Sequence, residues 1–366
     1  MITSPYMSLA LGSVWTHSIV MPLPRHVLVD DERPGAFHVI SRCVRRAYLC
    51  GDQAEHRRAW VTELIRQATG AFAVDVLSYA VMSNHLHIVV LTDPERSRTW
   101  TPIEVATRWA AAHPRTAADG TSQAWSPAEM AEKAADPVWI DTARKRLRSL
   151  SWFMKNIKER LARRANRDDH CTGHFWEGRF QSVPLLDQAA VIAAMAYVDL
   201  NPIRAAMAET PEASDYTSVQ ARCVARQGHR AAQLVPTLAS APATPESGLW
   251  IAPIIRATID QPDGCAVTAA ITLDDYLTLV DATGRIVRGD KRGAIPANLA
   301  PILDRLRIDL DAWLVLMRSG GHFALGSFGA LASRAREALR RGAKWIVNTT
   351  AGLYRDDQSP GELSTA

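Results

Sequence analysis

Two strand-like runs, Ala73–Met82 and His85–Leu91, stand back to back with only Ser83-Asn84 between them, which commits this stretch to a tight hairpin. The second run, in VMSNHLHIVV, is apolar except for two histidines separated by one leucine. Strand alternation puts His85 and His87 on one face and sends Leu86, Ile88 and Val90 toward a core on the other. Their Cα atoms should lie roughly 6–7 Å apart from the strand rise alone. That spacing lets both imidazoles converge on one divalent cation. Two polar residues on a solvent face are the plain alternative.

A site built on two histidines needs a third protein ligand, and that ligand separates the functions. A β-lactamase-like zinc hydrolase follows its histidine pair with a nearby Asp-His, whereas Ile88-Val89-Val90 follows here. An amidohydrolase barrel would need alternating β and α segments, and that alternation is missing.

The flanking pattern sets the architecture. AFHVISRCV, bounded by Pro34-Gly35, reads as a strand, and Asp52 caps an expected helix through Thr69 with Gly70 as its stop. Asp93–Pro137 is a polar insertion with two short helices expected at Ile103–Ala112 and Pro127–Ala135. One long helix is predicted over Asp141–Arg167, then a strand in RFQSVPLL, then a helix capped by Asp187 that runs into Pro202. The order β-α-β-β-α-β-α predicts an α+β fold: a ferredoxin-like antiparallel sheet flanked by helices. Beyond it, helices at Leu273–Val280, Asn298–Leu306, Leu310–Met317 and Phe328–Arg341 predict a mainly α C-terminal extension.

Two further segments carry chemistry. The predicted long helix has a core stripe (Leu147, Leu150, Phe153, Met154, Ile157, Leu161) and an opposite face of nearly one sign. Arg144, Lys145, Arg148, Lys155, Lys158 and Arg163, with Arg179 beyond the helix, are the candidate phosphate contacts. A solvated helix face explains the same charge without a ligand. In AYVDLNP, helical spacing puts Tyr197 and Asn201 on one side. A phenol can act as a nucleophile, and an amide oxygen is a hard neutral ligand suited to Mg²⁺ or Mn²⁺ beside imidazoles. Core packing for Tyr197 and a helix cap for Asn201 are the structural alternatives.

Taken in order, FHVISRCVRRAYLCG, AVMSNHLHIVV, GHFWEGRF and AMAYVDLNPIRA resemble the HUH single-tyrosine transposases, the insertion-sequence-200-like enzymes and their REP-associated tyrosine transposase relatives. The resemblance spans about Pro22–Arg222, with Glu177 where the family commonly has Gln. It implies that His85 and His87 are the metal-binding pair, Asn201 the third ligand, and Tyr197 the nucleophile of a DNA-nicking and joining enzyme. It also implies a divalent cofactor, Mg²⁺ or Mn²⁺, and single-stranded or hairpin DNA as partner. In some relatives the tyrosine serves a partner subunit's histidines, so a homodimer is among the arrangements it implies. A domesticated hairpin-DNA-binding protein without turnover is the rival expectation, and a metal-dependent hydrolase a more distant one.

Composition bounds the rest. The net charge of +4 leans toward nucleic acid, and no apolar run is long enough for a membrane span. Five scattered cysteines without a CxxC pair predict a reducing cytoplasm rather than a disulfide framework. The expected organisation is a leader over 1–21, a catalytic domain over 22–225 containing the 93–137 insertion, a Pro/Ala/Ser-rich linker over 226–249, and the helical extension over 250–366.

Overall fold

A computed structural model describes residues 25–50, 54–116, 122–234, 246–257, 271–287, 299–319, 327–343, 346 and 353–354. The expected leader and the Asp52 cap lie outside the described residues. After a short helix α1 (Arg25–Leu28), strand β1 (Gly35–Arg42) leads to helix α2 (His56–Ala71), then to β2 (Val74–Val81) and β3 (His85–Thr92). The β2–β3 turn is the predicted one, closed by Met82 N–H donating to His85 O at 2.9 Å.

The insertion holds α3 (Pro94–Arg98), α4 (Pro102–Ala112), a two-residue ribbon of β4 (Arg115–Thr116) and β5 (Ser122–Gln123), and α5 (Pro127–Ala134). Both α4 and α5 start from a full capping box, Thr101/Glu104 and Ser126/Glu129, each with proline in the first turn. The sheet then resumes through α6 (Pro137–Leu147), α7 (Leu150–Asp168) and β6 (Gln181–Leu185), and α8 (Gln188–Asp199) follows. The four long strands order β2-β3-β1-β6, all antiparallel, which is the ferredoxin-like arrangement.

The predicted single helix over Asp141–Arg167 is two helices. Ser149 leaves helical geometry at ψ 125°, and the break has two causes. The carbonyl of Leu147 accepts from Ala73 N–H at 2.9 Å, tying the end of α6 to the start of β2. The Arg148 guanidinium turns inward to an ion pair with Glu32.

Alternation along the strands divides the core. Phe37, Val39, Val76, Leu86, Ile88 and Val90 face α2 and α7. Ala36, Ala80, Val89, Val183 and Leu185 face α8. Helix α8 is buried from Ala189 to Asp199, on all sides, because a second layer covers it. That layer comprises α9 (Asn201–Arg204), α10 (Ser218–Leu234), α11 (Leu273–Val287), α12 (Leu299–Arg305) and α13 (Leu310–Ser319), with α14 (Leu331–Arg340) after it. Tyr276, Leu279 and Val280 of α11 belong to the same apolar cluster as α8. The first part of the expected 226–249 linker is therefore helix, α10 running to Leu234, while 235–245 lie outside the described residues.

Candidate metal and tyrosine site

The histidine pair lies on the α8 face of the sheet. In the β1–β3 register Arg42 stands opposite His85 and Ile40 opposite His87, so Arg42 leaves the sheet beside the imidazoles. His38, two residues before Ile40, shares that face as well. The rings of His85 and His87 sit with centroids 4.8 Å apart, near enough for both to reach one cation at ~2.1 Å per nitrogen.

Each imidazole is oriented by a neighbour. His85 Nδ1 lies 2.6 Å from Asn84 Oδ1, an acceptor, so the proton sits on Nδ1 and the Nε2 lone pair is open. Asn84 is itself held, its Nδ2 donating to Arg46 O at 3.0 Å, and its turn is clamped by Cys43 N–H to Asn84 O and Cys50 N–H to Ser83 O. His87 Nδ1 lies 2.9 Å from His38 Nε2, with the two rings stacked at 5.1 Å. With the proton on His87 Nδ1, that contact frees His87 Nε2 in the same sense.

All three rings are held neutral at neutral pH. Burial pushes His38 down to about 3. Burial, then the charges of Arg42 and Arg204, pushes His85 down to about 4. His87 falls well below the usual imidazole range through burial, the two flanking histidines and the same arginines. Neutral imidazole is the form that ligates metal.

Helix α8 brings the phenol. Asp187 caps it, accepting from Ala190 N–H at 2.9 Å, and ten residues on Tyr197 emerges beneath the sheet. Its ring lies 5.9 Å from the His87 ring and 6.0 Å from the His38 ring, edge-on to both, within the same chain. Asn201 follows one turn later, with Nδ2 donating to Tyr197 O at 3.0 Å and to Val198 O at 3.5 Å. It makes no bond to either imidazole, so it caps the end of α8 while its Oδ1 remains without a protein donor among the described residues. Arg204 then folds back, its Cζ 4.7 Å from the Tyr197 ring centroid.

Two imidazoles and an amide oxygen are neutral donors that suit a divalent cation keeping positions for water or substrate. Among the described residues no three His, Cys, Asp or Glu side chains gather as they would around a metal ion. Cation retention here would rest on the histidine pair together with oxygen donors of other kinds.

The basic candidates separate. Arg144 donates to Ser97 O and Trp100 O, and Arg148 is buried against Glu32, so both fasten parts of the protein to one another. Lys145 pairs with Asp141 at 2.7 Å, and Arg163 pairs with Glu159. Lys155 lies over Trp152, and Lys158 donates to Gly178 O at 2.7 Å above Trp176. Trp176 bridges to Cys43, next to Arg42, so Lys158 and the exposed Arg179 belong to the histidine end of the sheet. Arg144 and Lys145 belong to the far end, where α6 meets β2.

Comparison with protein-family models gives no match, and comparison with curated protein sequences gives none. Among solved structures the chain is similar to a REP-associated tyrosine transposase bound to a REP hairpin. The alignment covers 57% of this chain and 87% of that one, at 11% identity and a TM-score of 0.30. A likeness at that level carries no weight for the site. No helix among the described residues is long and apolar enough to cross a membrane.

Proposed function

We propose that this protein cleaves and rejoins single-stranded DNA in the manner of the HUH single-tyrosine transposases that its motifs resemble. Tyr197 is the nucleophile, and His85 and His87, with Asn201, hold Mg²⁺ or Mn²⁺. Tyr197 Oη forms the new bond to phosphorus, the P–O3′ bond breaks, and the phenolic proton is made good on the departing 3′ oxygen. The product is a 5′-phosphotyrosine link and a free 3′-OH, which can attack in reverse to rejoin the strand. A bound cation would supply Lewis acidity at a non-bridging phosphate oxygen and fix in-line geometry. The carrying observation is that a phenol and a histidine pair from separate parts of the sequence meet in one chain, 5.9 Å between the Tyr197 and His87 rings.

Incubation with hairpin DNA labelled at its 3′ end, in Mn²⁺, should give a labelled band that survives denaturing electrophoresis. The band should vanish in Tyr197→Phe and with EDTA. Its persistence in Tyr197→Phe would refute the assignment. Tyr197 is only 6% exposed, and this favours a second reading, a hairpin-binding protein without turnover. Tight hairpin binding with no adduct from the wild type would select it.

A further inference from the structure

We propose that Arg204 and Arg42 form a seat for a phosphodiester oxyanion beside the histidine pair. The inference rests on reading this site as one that handles phosphodiesters, and it names the groups that would grip the anion. Arg204 follows the NP that ends α8 and lies against the nucleophile candidate, its guanidinium over the Tyr197 ring. No carboxylate, carbonyl or hydroxyl among the described residues accepts from that guanidinium, and its Nη1 is buried. A buried guanidinium nitrogen without an acceptor is costly, so an anion that supplied one there would be held favourably.

Arg42 is the second group. It stands opposite His85 on the imidazole face, is exposed, and its side chain likewise has no acceptor among the described residues. Glu177 meets it through the backbone, donating its N–H to Arg42 O. Several other arginines have acid partners, Arg57 with Asp168 and Asp169, Arg148 with Glu32, Arg222 with Glu246, and Arg340 and Arg341 with Glu337, although Arg96, Arg160 and Arg222 also keep a buried guanidinium nitrogen without an acceptor. The acid closest in sequence to Tyr197, Asp199, is occupied by Ser78, Ser218 and Tyr276. Two guanidiniums without an acid partner therefore stand at the histidine pair, Arg42 across the ladder from His85 and Arg204 over the Tyr197 ring. Planar forks of N–H donors fit an anion with two free oxygens, which a phosphodiester presents.

The test uses the full chain, histidine-labelled and stripped with EDTA, titrated with inorganic phosphate at constant ionic strength. The imidazole proton signals of His85 and His87 report binding by NMR. The wild type should saturate, and Arg204→Gln and Arg42→Gln should each weaken the apparent affinity by roughly tenfold or more. Arg204→Lys, which keeps charge without the fork, should fall between. Should Arg204→Gln fail to fold, the exposed Arg42→Gln and the conservative Arg204→Lys still decide. Wild-type titrations in both of those variants, or shifts that never saturate in the wild type, would overturn the seat. Saturable, arginine-dependent phosphate binding without any DNA adduct would refute nicking and leave the seat standing. Adduct formation with phosphate binding indifferent to every arginine variant would refute the seat alone.

Discussion

The chemistry of this site turns on how single residues are oriented. His85 and His87 declared themselves in the sequence because a strand allows little freedom about which way alternate residues face. His38 did not, because its contact with His87 runs across strands 49 residues apart and depends on the β1–β3 register. We expect His38→Ala to weaken Mn²⁺ binding by about 10–100-fold, since the partner that fixes the tautomer of His87 is lost, measured by titration calorimetry. Unchanged affinity would deny His38 that role. The three imidazoles also set a pH dependence. Their folded pKa values lie below the unfolded value of ~6.5, so on acidification the unfolded chain takes up protons that the folded chain refuses. Stability should be indifferent to them above pH ~6.5 and fall between there and pH ~4, by up to ~1.4 kcal/mol per pH unit for each histidine. Asp31 and Asp199, both raised by burial, work in the opposite sense as two groups against three. Urea midpoints at pH 7.5 and 5.0 check this; a higher midpoint at pH 5.0 would contradict it.

At the scale of elements, local signals were enough wherever an element's boundary is set by its own residues. The Ser83-Asn84 turn and the Asp187 cap are of that kind, and so are the prolines that open α4 and α5. The break between α6 and α7 is not, because it is imposed by Ala73 and Glu32, far away in the chain. The end of α8 shows both behaviours. Pro202 announces the stop, yet Asp199 is read correctly only with the fold in hand. Its carboxylate accepts from Ser78 at 3.2 Å, Val219 N–H at 3.2 Å, Tyr276 at 2.5 Å, and Ser218, joining β2, α10 and α11 two residues beyond the tyrosine. Asp199→Ala leaves four donors with one acceptor gone, and should destabilise the protein by about 2–4 kcal/mol in denaturant titrations. A loss under ~0.5 kcal/mol would show that the hub contributes little.

For the whole molecule, the helical extension is more than an appendage. Its helices share an apolar core with α8, and Arg222 of α10 pairs in the interior with Glu246 while donating to Leu77 O of β2. The helices from Leu273 onward were legible in the sequence, but α10 was read in part as linker, and what the layer covers was not legible, because the outer side of the largely apolar α8 has no partner until the chain is folded. Deleting residues from 271 onward should therefore expose the outer side of α8, giving aggregation or a much lower melting temperature; a soluble truncation with the same melting temperature would contradict the shared core. The central claim, that Tyr197 joins to DNA beside the histidine pair, is tested most directly by peptide mapping with mass spectrometry after incubation with a hairpin and Mn²⁺. The account predicts the mass of the 3′ DNA fragment on the peptide that contains Tyr197. A nucleotide mass on another residue, or cut DNA with no protein-linked product, would contradict it.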